Sequence, residues 1–151
     1  MKEFEIDMKN IPECIKIFTP YKSDEKFIEK GEWDNEPSFL CFIDKKTDYF
    51  FTVNRNPVWG CFSANVLLPE NHIYHGIYYK NIKNIKVHGG LTFSKLIIGS
   101  NEFWIGFDFG HAGDFSPGLN YPGQNKKNYR NLNYVINECL SVAKQLKNME
   151  S

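Results

Sequence analysis

Arginine is almost missing from this chain. Of 18 basic side chains only Arg55 and Arg130 are arginines, and 18 acidic side chains bring the formal net charge to zero. A protein that grips nucleic acid gathers Lys and Arg into a basic footprint and usually carries net positive charge, so the composition argues against a nucleic-acid partner. No stretch approaches the roughly 20 apolar residues of a spanning helix. The opening Met1-Lys2-Glu3-Phe4-Glu5-Ile6-Asp7 alternates charge with apolar residues where a signal peptide would be continuously apolar. These absences predict no membrane partner and a cytoplasmic location. Cysteine is sparse as well. Cys14, Cys41, Cys61 and Cys139 are scattered with no C-x-x-C pair, which predicts free thiols and argues against a cysteine zinc site. Also missing are G-x-x-x-x-G-K-[ST], a G-x-G-x-x-G after a strand, H-E-x-x-H and G-x-S-x-G, and with them the phosphate-loop, dinucleotide, zinc-protease and serine-hydrolase signatures.

What is abundant is aromatic. The 151 residues hold 13 Phe, 8 Tyr and 3 Trp, and 42% are hydrophobic. That is enough for one packed core, and no repeat or low-complexity linker divides the chain, so residues 1–151 are expected to form a single domain. Residues 11–18 fit either a short strand or a helical turn, and residues 22–36 read as a polar connection. Short runs rich in β-formers at 39–43 and 49–53, with a polar segment between them, predict a hairpin. Further strands are expected at 59–68, 87–94 and 103–109, the last two interrupted by glycine at a bulge or a close backbone approach. Residues 110–123, with Pro117-Gly118 and Pro122-Gly123, predict an ordered loop of tight turns, type II where Pro-Gly is central. Leu132, Val135, Ile136, Cys139, Leu140, Ala143 and Leu146 recur at three- and four-residue steps, which predicts an amphipathic helix capped by Asn131 or Asn133. One long helix over a mainly antiparallel sheet is an α+β fold.

The candidate chemistry lies in the second half of the chain. All four histidines fall between positions 72 and 111: His72, His75, His88 and His111. Asp108, His111 and Asp114 follow a D-x-x-H-x-x-D spacing. Such a set could hold a divalent cation, could orient His111 as a general base, or could simply cap backbone N–H groups in a turn. His88 precedes Gly89-Gly90, where the backbone permits close approach of a ligand or merely a strand-end hydrogen bond. His75 reads as a solvated loop residue. Trp59, Tyr74, Trp104 and Phe109 could stack on a planar ligand, although most rings in such a sheet form core. Lys126 to Arg130 is the one basic cluster and could meet a phosphate.

Taken in order, Pro69-Glu70-Asn71-His72 with Gly76, Val87-His88-Gly89-Gly90-Leu91-Thr92-Phe93, Trp104-Ile105-Gly106-Phe107-Asp108, then His111, Gly113, Asp114 and Ser116-Pro117-Gly118, resemble a family of small proteins common in bacteriophage and prophage genomes. The likeness spans roughly residues 60 to 140. It departs at Ile73, where the family pattern has proline. The resemblance implies an accessory protein of a virus or mobile element, and no particular activity.

Two function classes follow. In the first, His72, His88, the Gly89-Gly90 amides, Thr92, Asp108 and His111 bind a small nucleotide-like molecule while Trp104 or Tyr74 stacks on its base and Arg130 meets its phosphate. The natural role would be capture of a host immune signal, such as a cyclic ADP-ribose isomer. In the second, His111 with Asp108 or Asp114 hydrolyses a small phosphorylated or glycosidic ligand, with or without a divalent metal. A loop that docks on a host protein is the blander third reading, and a homo-oligomer is compatible with all three.

Overall fold

In the computed structural model, which describes residues 2–119 and 121–150, seven strands form one antiparallel sheet and a single long helix lies across it. The strands are β1 Lys2–Glu3, β2 Ile15–Lys22, β3 Phe39–Asp44, β4 Phe50–Arg55, β5 Phe62–Leu68, β6 Phe93–Leu96 and β7 Phe103–Asp108. The helix α1 is Leu132–Asn148. The sheet order is β1-β2-β3-β4-β5-β7-β6, so the last strand inserts between β5 and the edge strand β6. This is the expected α+β architecture.

Period-two alternation decides which face is covered. Leu40 and Phe42 of β3, Phe51 and Val53 of β4, Ala64 and Val66 of β5, and Ile105 and Phe107 of β7 are all buried on one side. Against them pack Leu132, Val135, Ile136, Cys139, Val142, Ala143 and Leu146 of the helix. Val142 completes the stripe where the periodicity pointed to Leu140, which is half-buried. Each larger apolar side chain removed from water in this layer contributes about 1.5–3 kcal/mol. Asn131 caps the helix, its side chain accepting from the Tyr134 N–H at 2.8 Å. None of the described helices is long and apolar enough to cross a membrane.

Five local readings change in the folded chain. The ambiguous segment at 11–18 divides, residues 11–14 forming a bend and turn and β2 beginning at Ile15. The polar connection carries a 3-10 turn, Glu32–Asn35, that sends Trp33 into the core against Phe115 and Tyr129 at 5.2 and 5.0 Å between ring centroids. Residues 56–60 are a turn closed by the Gly60 N–H on the Asn56 carbonyl, so the strand expected from position 59 starts at Phe62. The strand expected at 87–94 is confined to Phe93–Leu96, because Gly89 and Gly90 have φ of +70° and +76°. Two successive left-handed residues cannot continue a strand, and they form a turn in which the Gly90 N–H donates to the Val87 carbonyl at 2.9 Å. Gly118 serves close approach instead of a type II turn: a Cβ there would lie 1.8 Å from the Val58 carbonyl oxygen.

Candidate functional site

The candidate residues divide into a closed network and an open pocket. The network centres on Asp114, whose side chain is 3% exposed. Asp114 Oδ2 accepts from the His111 N–H at 3.0 Å and lies 2.7 Å from His88 Nε2, while Oδ1 accepts from Arg130 Nε at 3.0 Å. Burial by itself would raise the Asp114 carboxyl, but the bonds from His88, Arg130 and the His111 N–H outweigh it and hold the group below the usual carboxylate range. Beside an ionised carboxylate, His88 carries its proton on Nε2 and accepts the Tyr134 hydroxyl at Nδ1, 2.9 Å away. Burial, and then the Glu138 carboxylate, push the Tyr134 phenol up, which keeps that hydroxyl a donor. The His88 ring stacks on Phe109 at 5.4 Å, and the His88 backbone N–H donates to Glu138 Oε1 at 2.8 Å. Arg130 lies over the Tyr134 ring at 4.9 Å.

This network joins the 87–90 turn, the 110–118 loop and the first turns of α1. It also consumes the groups expected to face a ligand. Both His88 ring nitrogens and both Asp114 oxygens are engaged inside the protein, and Arg130 holds Asp114. The divalent-cation reading of the D-x-x-H-x-x-D spacing fails on the same ground. Among the described residues no three His, Cys, Asp or Glu side chains converge as a metal-holding group.

Asp108 and His111 lie on the pocket side. His111 Nε2 is 3.1 Å from Asp108 Oδ1, and their side chains are 32% and 37% exposed. The ring edge packs on Gly89, where a Cβ would fall 2.0 Å from Nε2. Nε2 is buried and makes no hydrogen bond of good geometry among the described residues. No described group bonds Nδ1. The pair borders a cavity of about 490 Å³ at the ends of β4, β5 and β7, lined also by Asn54, Arg55, Trp59 and Ser63. That volume falls within the range of small-molecule sites. Trp59 is half-exposed on the 56–60 turn. Burial, and then Asp108, push the Cys61 thiol up, away from the nucleophilic thiolate.

Arg55 forms the inner wall. Its Nη1 donates to the Gly60 carbonyl at 2.6 Å and to the Tyr129 hydroxyl at 2.9 Å, and its Nη2 to Glu36 Oε1 at 3.3 Å. The guanidinium lies 4.0 Å above the Phe62 ring. Glu36 also accepts the Tyr129 hydroxyl and, at 2.6 Å, the Leu132 N–H at the start of α1. Burial nonetheless pushes its carboxyl up.

No protein-family model, curated protein or solved structure matches the chain.

The remaining candidates lie elsewhere. His72 is buried under the far end of the helix, its Nε2 on the Leu146 carbonyl at 3.0 Å and its Nδ1 accepting the Tyr74 N–H at 3.1 Å. It closes a helix terminus and touches no pocket residue. His75 lies 3.1 Å from the Asn101 carbonyl. Trp104 shares the open face of β7 with Asp108, but four residues away, about 14 Å along the strand. It packs edge-on to Phe50. Thr92 donates its N–H to the Gly106 carbonyl, and Gly90 supplies the turn. A cavity of about 390 Å³ at the opposite end of the sheet, beside Tyr49, Glu70 and Glu102, contains none of these residues. Sequence reasoning missed Arg55 entirely. The available signal was its place in the buried register of Phe51 and Val53, where a charged residue needs a partner.

Proposed function

We propose that the chain binds a small nucleotide-like molecule in the pocket between the 56–60 turn and the Asp108–His111 pair. In a phage-type setting this would sequester a host signal. The observation that carries the reading is the meeting, around one cavity of about 490 Å³, of a half-exposed indole with a partly exposed carboxylate and imidazole. Trp59 offers a stacking surface for a base. Asp108 can accept ribose hydroxyls, His111 Nδ1 can bond either a donor or an acceptor according to its tautomer, and Asn54 and Ser63 supply neutral polar contacts. The test is to mix the purified protein with a panel of nucleotides, remove free ligand, heat-denature the protein and identify what is released by mass spectrometry. Intact nucleotide is the expected result; release of nothing from a broad panel would sink the reading.

One observation favours a second reading, hydrolysis of the same ligand. Asp108 beside His111 Nε2 favours the tautomer protonated there, which leaves the Nδ1 lone pair available to take a proton from water. The same measurement separates the two, because an enzyme releases altered ligand and His111→Ala would abolish the alteration.

A further inference from the structure

We propose that Arg55 is an oxyanion-receiving subsite in the inner wall of this pocket, and that the ligand docks its phosphate or carboxylate group there. The proposal rests on the pocket reading above and assigns the anionic end of the ligand to a residue unlike the one the sequence suggested. A guanidinium has five N–H donors. Two of those on Nη1 and one on Nη2 are spent on Gly60, Tyr129 and Glu36. The Nε–H is buried and has no partner among the described residues, on a side chain only 2% exposed. Native structures rarely leave a buried donor of a charged group unpaired, since it forfeits hydration with nothing in return.

Charge points the same way. Among the residues lining the cavity, Arg55 alone carries a permanent positive charge. Glu36 compensates it in part, for that carboxylate is shared with the Tyr129 hydroxyl and the Leu132 N–H. Asp108 repels an anion from the outer part of the pocket, which leaves the Arg55 side for the charged end of a ligand. Arg130, the expected phosphate partner, is outside the cavity lining and committed to Asp114. A planar fork held by three partners and stacked on Phe62 is preorganised, so an oxyanion arriving at Nε pays little ordering entropy.

The chain has only two arginines, which makes a direct test practical. Protein labelled with nitrogen-15 arginine should give two Nε–H signals, and Arg130→Lys assigns them. The full chain is titrated separately with adenosine monophosphate, adenosine, inorganic phosphate and acetate, with Trp fluorescence followed in parallel and Trp59→Phe identifying the Trp59 contribution. The expected result is that adenosine monophosphate and inorganic phosphate shift the Arg55 Nε–H signal and adenosine does not. A shift with acetate as large as that with phosphate would support the subsite and mark it as open to carboxylates. An Arg55 signal unmoved by all three anions overturns the proposal. If adenosine monophosphate changes Trp59 fluorescence in that case, the pocket reading survives alone. If phosphate shifts Arg55 while neither adenosine compound touches Trp59, the subsite stands and the nucleotide reading falls. In the Glu36→Gln, Arg55→Gln double variant, which buries no lone charge, affinity for adenosine monophosphate should drop roughly tenfold to a hundredfold toward that of adenosine. Should this variant fail to fold, the titration of the native chain decides by itself.

Discussion

Replacing Asp114 by alanine should uncouple the pocket wall from the helix. The carboxylate receives His88 Nε2 at 2.7 Å, the His111 N–H at 3.0 Å and Arg130 Nε at 3.0 Å. Arg130 is 29% exposed and recovers water when the acceptor goes, so its loss counts for little. The other two donors are part-buried, and each bond to a charged acceptor is worth about 1.5–3 kcal/mol. Allowing for partial rehydration, the variant should lose about 3–4 kcal/mol, a large share of the 5–15 kcal/mol typical of a domain. With a urea slope of about 2 kcal/mol per molar, the unfolding midpoint falls by about 1.5–2 M with the slope unchanged. The sign of the pH dependence follows from the carboxyl being held low in the folded state. Its contribution is fully present above the unfolded value of about 3.9 and is lost as pH falls through the lower folded value. Native and variant curves should therefore differ fully at neutral pH and converge in strong acid. A midpoint within about 0.3 M of the native one at pH 7 would refute the network as a support of the fold.

Other outcomes follow from the same contacts. Gly89→Ala places a methyl 2.0 Å from His111 Nε2 at a φ of +70°, so it should cost about 2 kcal/mol or more and displace the His111 ring, seen as a shift of its imidazole proton signals. His72→Ala should lower stability by about 2–3 kcal/mol, through the loss of the buried imidazole and the Tyr74 N–H left without its acceptor, without changing ligand capture. Trp59→Ala should leave the melting temperature nearly unchanged but cost about 1–3 kcal/mol of nucleotide affinity by calorimetry, whereas Trp104→Ala should leave affinity as it was.

Local pattern determined much of this protein. The 3.6-residue period of Leu132 to Leu146 specifies a helix, and the alternation through Leu40, Phe42, Phe51 and Val53 specifies a hairpin with one buried face, because these periods leave few other ways to hide the apolar side chains. The glycines at 89 and 90 were legible as special but were misplaced on a strand, since a sequence does not say whether glycine serves a bulge or a left-handed turn. The division of the candidate residues was decided only in three dimensions. Asp108 and Asp114 both flank His111 in sequence, yet Asp114 turns inward to meet His88 and Arg130 from segments 26 and 16 residues away. Asp108, at the end of β7, stays at the pocket wall. Arg55 and Trp59 join that wall because the turn after β4 leads into β5, which pairs with β7 and sets Ser63 opposite Asp108, 45 residues away in the chain. A carboxylate is a ligand contact or a structural anchor according to which donors reach it first, and those donors arrive from distant parts of the chain.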